Sequence, residues 1–276
     1  MTLASRNTLL LTGILFSLIV LAVFAAIVVV VAIGGYNPPP SDFTKSERWL
    51  VFRWNAAPIG VAWVLAGTAV SGLAASIGSY FLRRFFRKTS APEVFFFTLF
   101  TITLCFETLR SVELYFLFLN LPTLYGIIVT RVVYFGYFLG AFCLLGSSLY
   151  TAGVQYQKYG NALGIAALVS FALAYVVPID SLSPFPSLIF RIGNETTTQT
   201  IALVIGMLTL LSYAMSVVTG GTEDRLLIAL AVLMVILGRE LLFYLSNPVV
   251  ITVGAVLLVG GMVLYGVRNY KLYLWM

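Results

Sequence analysis

Glu107, Arg110 and Glu113 recur at intervals of three within "CFETLRSVELYF" (105–116), inside a segment that otherwise reads as apolar helix. Three more ionisable groups stand in equally apolar runs: Arg131, and the adjacent Arg239 and Glu240. Carboxylates can carry protons or act as general bases. Guanidinium groups fork two hydrogen bonds to phosphate or carboxylate and stay charged at depth. Ionisable residues inside membrane spans are rare and mark a functional site by default. The six therefore suit an anion site, with Arg110, Arg131 and Arg239 contacting the ligand and Glu107, Glu113 and Glu240 orienting them or coupling protons. They also suit a self-contained network that only sets helix register, because the charges cancel and the 107/110 and 110/113 pairs can bridge within one helix. Proton or ion conduction through the carboxylates is a third use.

Helical spacing sorts these groups. At about 100° per residue, Glu107, Arg110 and Glu113 share an arc of roughly 120°. Arg131 shares a face with Tyr134, and Glu240 with Tyr244, so both tyrosines join the candidate set. Arg239 and Glu240 point roughly 100° apart and cannot both face one small cavity squarely. Counting about 1.5 Å per residue from the outer helix ends, Glu107 lies roughly 18 Å deep, close to the midplane. The other five sit in the outer half.

The elements that carry them are membrane helices. Of 276 residues, 61% are hydrophobic and only 9% charged, against about 25% charged in soluble domains. A span needs about 20 apolar residues. Eight segments qualify: 8–34, 58–82, 94–119, 124–150, 160–178, 200–218, 225–245 and 249–268. The expected fold is an all-α bundle in a single membrane domain over residues 1–276. Gly136 and Gly140 in the fourth segment, and Thr68, Gly72 and Ser76 in the second, are spaced for close helix approach.

Loop charge predicts orientation. Arg83, Arg84, Arg87 and Lys88 follow the second segment closely, and basic loops stay cytoplasmic. Arg6, Lys158, Arg225, Arg268 and Lys271 then fall on the same side, nine basic residues against Lys45, Arg48, Arg53 and Arg191 opposite. Both termini are expected in the cytoplasm, and the host membrane is expected to be the plasma membrane of a prokaryote. Two outer loops, 37–58 with Trp49 and Trp54 and 180–199, are placed to lie in the headgroup layer or to cover a cavity.

Several chemistries are excluded or weakened. Histidine is absent, which removes the usual triads and zinc sites, so no metal and no cofactor is expected. Cys105 and Cys143 lie within spans and read as packed thiols. The net charge of +6 belongs to loops at lipid headgroups and gives no ground for nucleic acid. "RIGN" (191–194) resembles part of the Arg-Ile-Gly-Asn-Phe signature of prolipoprotein diacylglyceryl transferases. However, Phe190 stands where that family has Gly, Glu195 where it has Phe, and the family's histidine has no counterpart. Thr103 and Ser111 flank Glu107 and read as packing hydroxyls, so the sequence points away from an enzyme. It points to binding of an anionic small molecule or lipid headgroup in the outer half, as a transporter, transport subunit or sensor. An intramembrane lipid-modifying enzyme and a structural or assembly subunit are the alternatives. Membrane lipids are expected partners, beside a further protein or a second copy of the chain.

Overall fold

In hydrocarbon no water satisfies backbone N–H and C=O groups, so each apolar run must close its own hydrogen bonds and becomes a helix. The computed structural model describes residues 3–35, 47–49, 52–54, 61–87, 91–154, 159–184, 188–193, 195–220, 223–244 and 247–274. Eight helices are long and apolar enough to cross a membrane, and the chain is an integral membrane protein. They are α1 (Leu3–Ile33), α2 (Val61–Phe86), α3 (Pro92–Phe118), α4 (Thr123–Thr151), α5 (Tyr159–Val176), α6 (Glu195–Gly220), α7 (Glu223–Tyr244) and α8 (Pro248–Leu274). Two short antiparallel ribbons join them: β1 (Glu47–Trp49) with β2 (Phe52–Trp54), and β3 (Ile179–Pro184) with β4 (Phe190–Ile192).

All eight expected segments are present, with different ends. α2 runs on through Arg83 and Arg84, and α8 through Arg268 and Lys271. Hydropathy marks the hydrocarbon layer, whereas a helix continues past it wherever its backbone ladder can. The headgroup placement of 37–58 and the charges of Lys88 and Lys158 lie outside the described residues or side chains.

α3 is the most buried helix and α5 the least. α3 packs on α1, α2 and α4; α7 and α8 form a tight hairpin whose α8 side meets α2. Contacts between successive ends place Arg6, Phe86, Glu93, Ser147, Tyr213 and Tyr273 at one end of the bundle. The two ends of the described chain therefore share a side. There Ser147 Oγ donates to Glu93 O at 2.8 Å and sits 2.9 Å from the Tyr213 hydroxyl and 3.2 Å from that of Tyr265. The Tyr273 hydroxyl reaches the Glu93 carboxylate. This knot ties α3, α4, α6 and α8.

Small residues set the helix spacing. The hydrogens of Gly136 and Gly140 face Phe106 and Thr103 of α3, and that of Gly72 faces Thr108. Gly238 is a more severe case, because a Cβ there would meet Leu258 N at 2.5 Å and Gly254 O at 2.7 Å. Backbone cannot rotate away as a side chain can. Gly238→Val is expected to cost at least about 1–3 kcal/mol, read as a lowered melting temperature in detergent. Gly160→Val, where nothing stands within 4 Å, serves as the control and should melt near wild type.

Candidate functional site

α3 is irregular where it carries its charges. At Leu104 and Leu109 the ladder shortens: Leu104 N–H bonds Thr101 O (3.3 Å), Glu107 N–H bonds Leu104 O (3.1 Å) and Leu109 N–H bonds Phe106 O (3.2 Å). Such tight turns inside a helix often mark functional segments. Hydroxyls assist the distortion by bonding back to the preceding turn: Thr103 to Phe100 O (2.7 Å), Thr108 to Cys105 O (2.6 Å) and Ser111 to Thr108 O (2.8 Å). Thr103 and Ser111 are thus engaged with backbone, as their spacing suggests.

Glu107, 2% exposed, is held from two sides. Its Oε1 lies 3.2 Å from Arg239 Nε, and its Oε2 accepts from Ser71 Oγ at 2.8 Å. Arg239 also donates through Nη2 to Tyr137 O at 2.7 Å, and its Cζ lies 4.4 Å from the Tyr137 ring centroid. On the far side of that ring system the Tyr137 hydroxyl donates to Glu240 Oε1 at 2.7 Å. Arg239 and Glu240 diverge on α7, as their spacing predicts, and still reach the same tyrosine, Arg239 at its backbone carbonyl and Glu240 at its hydroxyl. Distance along the ring, which helical angles ignore, makes this possible.

Arg110 behaves differently. It is 1% exposed, and its Nη1 donates to Phe243 O at 3.0 Å while Cζ lies 4.1 Å above the Phe243 ring. Phe243 is in the last turn of α7, where helix carbonyls lack intrahelical partners, so Arg110 caps α7 with a charge that suits its dipole. Arg110 Nε and Nη2 find no acceptor among the described residues. Among the described residues no ion pair joins Arg110 to Glu107 or Glu113, so the intrahelical bridges that the spacing allows do not form. The reason is that the guanidinium reaches across to α7 instead of along α3. Tyr134 and Tyr244 stand beside it, Tyr134 edge-on to Phe243 at 5.5 Å and Tyr244 4.9 Å from the same ring.

Glu113 lies one turn further along α3, 4% exposed, facing the space left by Gly126. Among the described residues its Oε2 has no hydrogen-bond donor. Above it the described part of the α5–α6 connection turns into the bundle: Leu188, Ile189 and Phe190 are all buried. Phe190 packs on Gly126 and its N–H donates to Thr130 Oγ1 at 3.1 Å. Leu188 packs with Ile27, Val31, Val64 and Leu114 in a left-handed backbone conformation (φ 60°), a strained choice for leucine offset by its burial. Arg131 turns away from this group toward α5, its Cζ 4.8 Å from the exposed Tyr175 ring. Among the described residues it makes no ion pair.

The structure thus brings Glu107, Arg110, Arg239, Glu240, Tyr134 and Tyr244 to one α3–α4–α7 interface, sets Glu113 at its rim and leaves Arg131 on another face. Ser71 and Tyr137 escaped the sequence reading. Nothing in "TAVSGLAAS" distinguishes Ser71 from the packing residues Thr68, Gly72 and Ser76, and Tyr137 was detectable only as the residue three beyond Tyr134. No metal-binding cluster of His, Cys, Asp or Glu occurs among the described residues. Comparison with protein-family models, with curated proteins and with solved structures finds no match for this chain.

Proposed function

We propose that this integral membrane protein binds an anionic small molecule or lipid headgroup at Arg110, in the half of the bundle that loop charge assigns to the outer side, and works as a transporter, transport subunit or sensor. One observation carries the reading: a guanidinium buried to 1% exposure keeps two N–H donors, Nε and Nη2, without acceptors among the described residues. Leaving buried donors unmet costs about 1–3 kcal/mol each, and a phosphate or carboxylate would satisfy both in one planar contact. Glu113, with an unmet oxygen under Phe190, would accept a donor group of the same ligand. Glu107 and Arg239 would hold the interface in register.

Thermal melts of the purified protein with phosphate, glycerol 3-phosphate and small dicarboxylates test this. A bound anion at about a hundred times its Kd adds about 2.7 kcal/mol, a rise of about 5–10 °C for a chain of this size. Wild type should show that rise with at least one anion, and Arg110→Gln should not. Indifference of the wild type to every anion would remove the proposal.

A second reading has one contact in its favour. Ser71 Oγ is within hydrogen-bond reach of the Glu107 carboxylate, the pairing a serine-based intramembrane enzyme would need. Arg239 already engages that carboxylate, which weakens it as a base. Covalent labelling of Ser71 by a fluorophosphonate, lost in Glu107→Gln, would favour the enzyme.

A further inference from the structure

α2 is not a continuous α-helix: over Ala74–Gly78 it widens into a π-turn. Such bulges are rare and cluster at functional sites. Here the bulge forms the floor of a groove of about 720 Å³ between α2 and α8. Ala74 and Gly78 contribute one half of the floor, Met262 and Gly266 the other. Phe81 and Phe85 rise on one wall, Val263 and Val267 on the opposite one, and all four are exposed. The groove runs from Val70 to Phe85 along α2, roughly 22 Å at 1.5 Å per residue. That exceeds the roughly 15 Å half-thickness of a bilayer's hydrocarbon core, so an acyl chain fits along its length.

The end of the groove determines which lipid it suits. Lys271 lines it directly, and Phe85 also borders an adjoining recess whose other walls are Tyr80, Arg83, Arg84 and Arg87. Among the described residues no carboxylate borders either space. Nearby Arg268 is neutralised by Asp224 at 3.0 Å, whereas among the described residues Arg83, Arg84, Arg87 and Lys271 make no ion pair. The ring of Tyr270 lies 5.3 Å from that of Phe85 and narrows the groove between chain and headgroup levels. Apolar length capped by unpaired positive charge is the complement of an anionic phospholipid.

We propose that the α2–α8 groove seats an acyl chain of an anionic phospholipid drawn from the leaflet at this basic end, its phosphate held by Arg84 and Lys271 with Arg83. The site is distinct from Arg110 in position.

The test uses the full chain in detergent, with phosphatidylglycerol and phosphatidylcholine of identical acyl chains, bound lipid being counted by native mass spectrometry. Two variants alter exposed residues only: Val263→Trp fills the groove, and Arg84→Gln with Lys271→Gln removes the charge. Wild type should bind one phosphatidylglycerol in preference to phosphatidylcholine. The charge variant should lose about thirty-fold in that preference, from about fivefold per basic residue. Val263→Trp should lose the bound lipid of either kind. Equal binding of both lipids by wild type would overturn the proposal. So would a preference that survives Val263→Trp, which would assign the headgroup to surface charge without the groove. A wild-type dimer that Val263→Trp dissociates would give the groove to a second copy of the chain and overturn it equally.

Discussion

Replacing Arg239 by Gln is expected to destabilise the protein by about 3–5 kcal/mol, the cost of stranding one member of a buried ion pair. Glu107 would keep only Ser71 as a donor, in surroundings 2% exposed. The bond to Tyr137 O and the stacking on the Tyr137 ring go with it. The reverse single change, Glu107→Leu, should cost about as much, because Arg239 Nε then faces no charge. Yet buried pairs are weak stabilisers as a unit, since desolvation consumes most of their attraction. Arg239→Met combined with Glu107→Leu should therefore recover most of the loss, Ser71 turning to the carbonyl a turn behind it. A double-mutant cycle of melting temperatures reads this directly. If the double variant is as unstable as the sum of the singles, the two residues act independently and the pair is not the organising contact.

Phe190→Ala is expected to cost about 3–5 kcal/mol, typical of a buried phenyl ring, and to open the end of the bundle over Glu113. Phe190 is 4% exposed and fills the space over Gly126 and Glu113. Its amide is fixed to Thr130, itself fully buried. A cysteine at Thr130 should therefore resist a water-soluble maleimide in an otherwise wild-type chain and react once Phe190 is truncated. The native Cys105 and Cys143, both buried, provide an unreactive background. Rapid labelling before truncation would mean that the loop does not close over Glu113. Slow labelling after truncation would mean that other side chains close the path.

The two perturbations differ in what they disturb. One breaks charge deep in the interface, and the other removes packing at its rim. Arg110 stands between them, capping α7 with one nitrogen and leaving two unmet. Arg110→Gln removes buried charge along with the cap, so it should change stability less than Arg239→Gln while abolishing any response to anions. That contrast separates a binding residue from a structural one.

How much of this was legible beforehand follows from the range of each force. Eight membrane helices could be read from composition and run length, because the bilayer acts on every apolar segment alike and needs no knowledge of neighbours. That Gly136 and Gly140 allow a close helix approach was legible in the same way, since only small residues permit it, whereas α3 as their partner was not. That Glu107, Arg110, Arg239 and Glu240 form one interface was readable as a hypothesis, because isolated charge in hydrocarbon must find protein or water. Which partner each charge takes was not. Pairing depends on side-chain reach across helices: Arg239 finds Glu107 132 residues away, while Arg110 passes over two carboxylates on its own helix to reach Phe243 O. Ser71 and Tyr137 carry no mark of their roles along the chain, because a hydroxyl becomes a ligand to Glu107 or Glu240 only when α2, α4 and α7 are packed. The π-turn in α2, and with it the groove, also belongs to the tertiary structure alone, since Ala74–Gly78 has the composition of ordinary membrane helix and widens only in its packed place against α8.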